Sequence, residues 1–127
     1  MTVEYAAATS YTALVGLFIG SFINLAADRI PRHESVVAPR SHCTACGRVL
    51  NVIDLLPVAG YLIRGGRCAT CGAGIGGRQP IIELIAGLSM LLPSLIFGLW
   101  PGALYGALLT AALGITVVTV AVQRAKT

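Results

Sequence analysis

With 127 residues, 56% of them hydrophobic and only 11% charged, and a mean hydropathy of +0.82, the chain does not have the composition of a soluble domain, which carries about a quarter charged residues. Nine Lys and Arg against five Asp and Glu give a formal charge of +4; in a soluble protein this would suggest nucleic acid, but here the distribution of charge matters more than its sum. Four cysteines in two close pairs point to metal binding rather than to a secreted disulfide scaffold.

Residues 5–27 hold no charge, 23 positions in all, enough at about 1.5 Å per residue to cross a hydrocarbon core of roughly 30 Å. They predict a first transmembrane helix within segment 1–27. A cleaved signal peptide would want basic residues before the apolar run and small ones after it, yet Glu4 precedes the run and Ala6-Ala7-Ala8 lie at its wrong end. A retained helix is expected, with Thr9 and Ser10 near its outer end. Ser21 and Asn24 fall in its inner half, where polar groups need partners. A hydrogen bond to another helix or to backbone is the plainer expectation for both, and the positioning of an incoming peptide the sharper one.

Segment 28–80 is polar, punctuated by Pro and Gly, and carries seven of the nine basic residues. Within it, residues 49–61 form an apolar patch broken by Pro57, too short to span and expected to rest on the bilayer or on the rest of the loop. The same segment holds Cys43-Thr44-Ala45-Cys46 and Cys68-Ala69-Thr70-Cys71, with 21 residues between the pairs and a glycine, Gly47 or Gly72, after each. A two-residue gap lets both thiolates of a pair reach one ion on a tight turn, and the glycine permits the positive φ that turns backbone N–H groups toward sulfur. Cys43, Cys46, Cys68 and Cys71 therefore predict a structural Zn²⁺ site, with four thiolates leaving no place for a catalytic water. Two disulfides or four unrelated thiols are the rival readings. His33 and His42 are expected to be ordinary loop histidines. Asp28 and Asp54 are expected in loop salt bridges or caps, and the glycines between Gly65 and Gly77 in turns of the metal module.

Residues 84–123 pass without a charge, 40 positions that make two spans. Trp100-Pro101-Gly102 predicts the reversal between them, with helices over about 81–99 and 103–122 and a kink at Pro93. Glu83 falls at the start of the second span, where the helix dipole favours an acid and several arginines are near; a carboxylate at membrane depth is equally a site hypothesis. Small residues recur every four positions at Gly16 and Gly20, at Ala103, Ala107 and Ala111, and at Gly106, Thr110 and Gly114. They are expected to pack the chain's own helices together.

All nine basic residues lie in segment 28–80 or in the tail at Arg124 and Lys126. The positive-inside rule then predicts an outer N-terminus, with loop and C-terminus in the cytoplasm, as three spans require. A reducing cytoplasm disfavours the disulfide reading. The expected fold is an all-α membrane protein in which three transmembrane helices carry a cytoplasmic zinc-ribbon-like loop, organised as 1–27, 28–80 and 81–127. Nucleophilic catalysis finds no G-x-S-x-G, the glycines lack the strand and helix context of a dinucleotide or phosphate loop, and the only aspartates suit no proteolytic dyad.

Gly20-Ser21-Phe22-Ile23-Asn24 followed by Arg29-Ile30-Pro31-Arg32 resembles the first-helix exit of the type IV prepilin leader peptidases. Ser41-x-Cys43-x-x-Cys46 with Leu50, Leu56-Pro57, Tyr61-Leu62, Gly66-Arg67-Cys68-x-x-Cys71 and Gln79-Pro80-Ile81-Ile82-Glu83-Leu84 resemble that family's N-terminal domain in order and spacing, over residues 14 to about 90. The resemblance implies a multi-pass enzyme of the bacterial inner membrane that removes the leader of prepilins or pseudopilins, for type IV pili or type II secretion. It also implies N-methylation with S-adenosylmethionine, a function associated with this zinc-bearing domain. Gly66, Arg67, Arg78 and Glu83 become candidates for handling prepilin or methyl donor, with Asn24 and Glu83 as substrate contacts. Three departures stand out: Thr44 replaces the usual proline, Arg64-Gly65-Gly66-Arg67 precedes Cys68, and the chain stops at Thr127, before the aspartates that cleave. No independent peptidase activity is expected; cleavage would need a separate aspartic peptidase subunit or half. The expected partners are membrane lipid, prepilin and that subunit, with no nucleic acid. A non-catalytic adaptor that docks a peptidase or pilin-assembly protein is the alternative.

Overall fold

A computed structural model describes residues 2–127. Helix α1 runs Val3–Arg29, α2 Val52–Leu55, α3 Ala59–Ile63, α4 Arg78–Phe97 and α5 Leu99–Lys126. No named strand occurs among the described residues. Helices α1, α4 and α5 are each long and apolar enough to cross a membrane, so the chain is an all-α membrane protein with a cysteine-bearing loop between its first and second spans.

Helix α1 starts where Thr2 Oγ1 accepts the Tyr5 N–H at 3.1 Å, with Glu4 in its first turn and Arg29 in its last, each matched to the local end of the dipole. Pro31 cannot continue an α-helix, and the chain tightens into a 3-10 turn, Ile30–Arg32, that closes on His33 in the left-handed region. The buried positions Thr9, Thr12, Gly16, Gly20, Ile23 and Ala27 recur at spacings of three and four. They form the single stripe that α1 turns toward the other helices.

Two predicted boundaries are corrected. Helix α4 begins at Arg78 rather than at 81, because Pro80 lies in its first turn, where a missing N–H leaves no bond unmade. The reversal falls at Gly98, not at Trp100-Pro101-Gly102. Gly98 takes φ 91° and ψ 168°, open to glycine alone, and Pro101 and Gly102 then belong to the first turn of α5. Pro93 removes a backbone bond to Ser89, yet α4 continues to Phe97. Helix α5 continues past the expected end to Lys126, with Arg124 and Lys126 in its last turn.

Helix α4 is the centre of the bundle, packed by α1 on one side and α5 on the other, with a smaller α1–α5 contact. Ile23, Ala26, Ala27, Ile82, Ala86 and Met90 form the core. Close approach depends on glycine: a Cβ on Gly16 would stand 2.5 Å from the Ala86 carbonyl oxygen, and one on Gly20 2.6 Å from Glu83 Cα. On α5 the buried line is Gly102, Gly106 and Thr110. The expectation for Ala103, Ala107 and Ala111 is corrected, since Ala107 and Ala111 are exposed. At the far end of the bundle the Tyr5 hydroxyl donates to the Ser94 carbonyl at 2.7 Å.

Candidate metal centre and adjoining cleft

The two cysteine pairs fold as one motif used twice. In the first, Cys43 N–H donates to the Arg48 carbonyl at 2.9 Å, Gly47 N–H to Cys43 at 2.8 Å and Leu50 N–H to Ser41 at 2.9 Å. Each bond recurs 25 residues later, as Cys68 to Ala73 at 2.9 Å, Gly72 to Cys68 at 3.0 Å and Ile75 to Gly66 at 2.7 Å. Gly47 and Gly72 turn the chain at φ 77° and 72°, conformations that a side chain would strain. Isolated antiparallel bridges, His42 with Val49 and Arg67 with Gly74, close the two turns.

This repeat brings all four Sγ atoms within 4.8 Å of one another. Cys43 and Cys71 sulfurs are 3.7 Å apart, and those of Cys46 and Cys68 are 3.9 Å apart. Four sulfurs at about 2.3 Å from a tetrahedral zinc have edges of about 3.8 Å, so the donor set fits that ion in both chemistry and size. No cysteine is disulfide-bonded, and neither histidine joins the cluster among the described residues.

Local dipoles tune the thiols unequally. Backbone N–H groups of Cys46 and Ala45 lower Cys43. Those of Cys71 and Thr70, with the Arg48 guanidinium, bring Cys68 down to about 6. At Cys71 the Ala73 N–H pulls down, but burial and the thiols of Cys43, Cys46 and Cys68 win and push it up to about 11. Four thiols this close cannot all ionise without a cation to hold them.

Arg48 ties the first knuckle to α2. It donates to Asp54 Oδ2 at 2.9 Å, while Arg64 Nε donates to Oδ1 at 2.8 Å. Asp54 and Asn51 form a reciprocal capping box at the start of α2. Burial pushes the Asp54 carboxyl up, but the Asn51 N–H and the Arg64 and Arg48 guanidinium groups outweigh it and hold the group below the usual carboxylate range. Asp54 thus takes both expected roles, bridge and cap.

Further bonds join α1 to α4 on the loop side of the bundle, and one of them also ties in the loop. Arg78 pairs with Asp28, also donating to Asn24 Oδ1 at 3.3 Å. Asn24 Nδ2 donates to the Gln79 carbonyl at 2.9 Å, the helix-to-helix bond expected of it. Ser21 Oγ donates to Glu83 Oε1 at 2.6 Å and the Val58 N–H to Oε2 at 2.6 Å. Glu83 is only 3% exposed. It is the sixth residue of α4 and pairs with no arginine among the described residues, which corrects the placement at the helix start amid arginines.

Arg29, 6% exposed, is a group whose role the sequence did not disclose. Its guanidinium donates to the Ser35 carbonyl at 2.8 Å and to Pro39 at 2.7 Å, clamping the first strip of loop over the end of α1. Its signals were its place before Ile30-Pro31, where the helix must end, and its membership of the motif that carries the family resemblance, and neither gives the clamp. Beneath that strip lies a cleft of about 780 Å³, walled by Phe18, Phe22 and Leu25 of α1, by Arg32 and Glu34, and by Ser41, His42 and Leu50 of the loop. The volume is in the range of small-molecule sites.

The predicted residues therefore fall in three places. The four cysteines converge. Asn24 and Arg78 meet at the ends of α1 and α4, with Glu83 deeper between the same helices. Gly66 sits against the Tyr61 ring at φ 72°, and Arg67 is exposed on the second knuckle. No hydrogen bond joins that pair to Glu83 among the described residues.

Comparison with known proteins places the chain beside a defined group. The family model described as the bacterial peptidase A24 N-terminal domain matches residues 14–97. A prepilin leader peptidase/N-methyltransferase of Myxococcus xanthus is 41% identical over 75 residues, covering 59% of this chain and 22% of the relative. One of the same description from Bacillus subtilis is 36% identical over 100 residues, covering 76% and 40%. A type 4 prepilin-like proteins leader peptide-processing enzyme of Escherichia coli is 36% identical over 117 residues, covering 77% and 42%. The chain thus spans less than half the length of these curated relatives. No solved structure matches it.

Proposed function

The chain belongs to the bacterial peptidase A24 N-terminal domain family, and on that footing we propose that it acts in prepilin or pseudopilin processing, for type IV pilus assembly or type II secretion, as the metal-folded membrane domain of a leader peptidase/N-methyltransferase. Leader cleavage is assigned to a peptidase half outside these residues. The observation that carries the reading is the doubled cysteine knuckle, which brings its four sulfurs within 4.8 Å of one another. Cys43, Cys46, Cys68 and Cys71 would hold zinc, which cross-links the loop and offers no open position for a reacting water.

The domain sits in the inner membrane with its N-terminus outside and its loop and C-terminus in the cytoplasm. The grouping of all nine basic residues in loop and tail supports this orientation. The cleft beside α1 has the volume and mixed lining to take a methyl donor such as S-adenosylmethionine, with Glu34 and His42 at its polar edge. Asn24 and Arg78 line up the ends of α1 and α4 beside it, and Gly66 and Arg67 present the second knuckle to a peptide. Glu83 contributes as a buried strut.

The test is the purified chain, reconstituted with radiolabelled S-adenosylmethionine and a pilin peptide bearing a free terminal amine. Label in the peptide together with about one zinc per chain supports the proposal. Zinc without label favours the adaptor reading, in which the domain only docks a peptidase or pilin-assembly protein; a metal-free, folded chain overturns both.

A further inference from the structure

The two short loop helices carry apolar side chains that the fold leaves uncovered. Val52 and Ile53 of α2, and Leu62 and Ile63 of α3, are exposed to 76%, 43%, 69% and 61%. The charged residues of the same unit are turned the other way: Asp54 and Arg64 bond to each other, and Asp54 bonds to Arg48 of the first knuckle. A Cβ on Gly60 would stand 2.5 Å from the Ile53 carbonyl oxygen, so α2 and α3 abut as one body. That body has a polar side on the metal module and an apolar remainder, the pattern of a segment lying in a membrane interface.

Depth decides what covers the apolar part. The Asp28–Arg78 ion pair and the Asn24–Gln79 bond level the loop-side ends of α1 and α4, marking where these spans meet the headgroups. Glu83 lies five residues further along α4, about 8 Å at 1.5 Å per residue. Its Oε2 accepts the Val58 N–H at 2.6 Å, and Val58 is in the turn between α2 and α3. The turn is thereby held inside the level of the charged ends, near the depth of about 5–10 Å at which interfacial helices bury their apolar faces.

We propose that α2 and α3 form a lipid-inserted foot of the loop, seated in the headgroup–acyl boundary of the leaflet on the loop side, and that Glu83 sets its depth through Val58. The backbone agrees. Val58 takes φ 59° and ψ −53°, with the Ala59 N–H bonded back to Pro57 in a γ-turn. A β-branched residue holds that conformation only where its surroundings impose it. The carboxylate on its N–H is the group that does so.

Trp100 is the chain's one tryptophan, so Leu62→Trp in a Trp100→Phe background reports on a single site. The full chain is placed in phosphatidylcholine and phosphatidylglycerol vesicles. Emission is compared with phosphatidylcholine brominated high on its acyl chains and with aqueous iodide. The expected result is at least an approximately two-fold loss to the brominated lipid and little loss to iodide. Quenching by iodide alone, or by neither agent, places the foot in water or under protein and overturns the proposal. Val52→Trp repeats the measurement from α2 should the first variant not fold. Adding Glu83→Ala should shift quenching from lipid toward iodide; unchanged lipid quenching in that variant overturns the role of Glu83. Because no step reads methyl transfer or cleavage, the outcome is separate from that of the enzymatic reading.

Discussion

Glu83, buried between α1 and α4, accepts the backbone N–H of Val58 at 2.6 Å across 25 residues of chain. One carboxylate thus holds a strained turn of the loop with one oxygen and Ser21 of α1 with the other. Glu83→Ala leaves a part-buried N–H and a hydroxyl without their acceptor, at a cost of about 1–3 kcal/mol. Hydrogen exchange over residues 52–63 should rise well before that of α4. Val58→Gly removes the steric part of the strain while keeping the bond, and is expected to leave stability unchanged or to raise it by up to about 1 kcal/mol. A marked loss in Val58→Gly would show that the turn is not strained.

Zinc content is expected to follow the sulfurs. Substituting any one of Cys43, Cys46, Cys68 or Cys71 by Ser is expected to lower bound metal from about one ion per chain to a small fraction, as measured by elemental analysis. Chelation should then make residues 41–75 protease-sensitive while the three long helices keep their circular dichroism. Full metal retention in Cys68→Ser would count against a four-sulfur site.

Helix contact at the α4–α5 reversal is tighter than an alanine allows. A Cβ on Gly102 would lie 2.3 Å from Ser94 Cα, where only backbone movement can make room. Gly102→Ala is expected to destabilise the bundle by about 1–3 kcal/mol in denaturant titrations in detergent. Ala107→Val, on the exposed face of the same helix, should change little.

Asp54 gives the loop a defined acid dependence. Its folded carboxyl is held below the usual range, chiefly by the Asn51 N–H and the Arg64 and Arg48 guanidinium groups acting against burial. A depressed folded value means that the stabilisation is complete above the unfolded pKa and fades as pH falls through the folded one. The stability advantage of the native chain over Asp54→Asn should therefore be constant near neutrality and shrink below about pH 4. A constant difference down to strong acid would contradict the assignment.

Arg29 clamps two carbonyls with two guanidinium nitrogens, a geometry a lysine cannot reproduce. Arg29→Lys is expected to raise proteolytic cutting within residues 35–39 several-fold, whereas Arg32→Lys, at a side chain 56% exposed, should not. Equal effects of the two would remove the clamp.

Two kinds of information were local enough to be read along the chain. Uncharged runs identify membrane-length helices because crossing lipid is a property of about 20 consecutive residues, and the cysteine pairs point to a candidate metal site because two thiolates three positions apart share one turn. The helix ends at Pro80 and Pro101 were misplaced for a local reason too: proline reads as a break, yet in a first turn its missing N–H is needed by nothing. The outward turn of Ala107 and Ala111 was hidden because several small-residue lines on α5 look alike, and only packing against Ser89, Met90 and Ser94 selects the Gly102 and Gly106 line.

What the sequence alone determined is therefore the number of membrane-length helices and the four sulfurs between the first two. Tertiary structure decided that Glu83 faces Ser21 and Val58 rather than an arginine, that Arg29 closes over a cleft, and that α2 and α3 keep their apolar side chains uncovered. The reason is distance along the chain. A helix's hydrophobicity and a turn's sulfur spacing are summed over neighbours, but the partner of a buried carboxylate is chosen by how two helices meet through Gly16 and Gly20, and no local pattern encodes that choice.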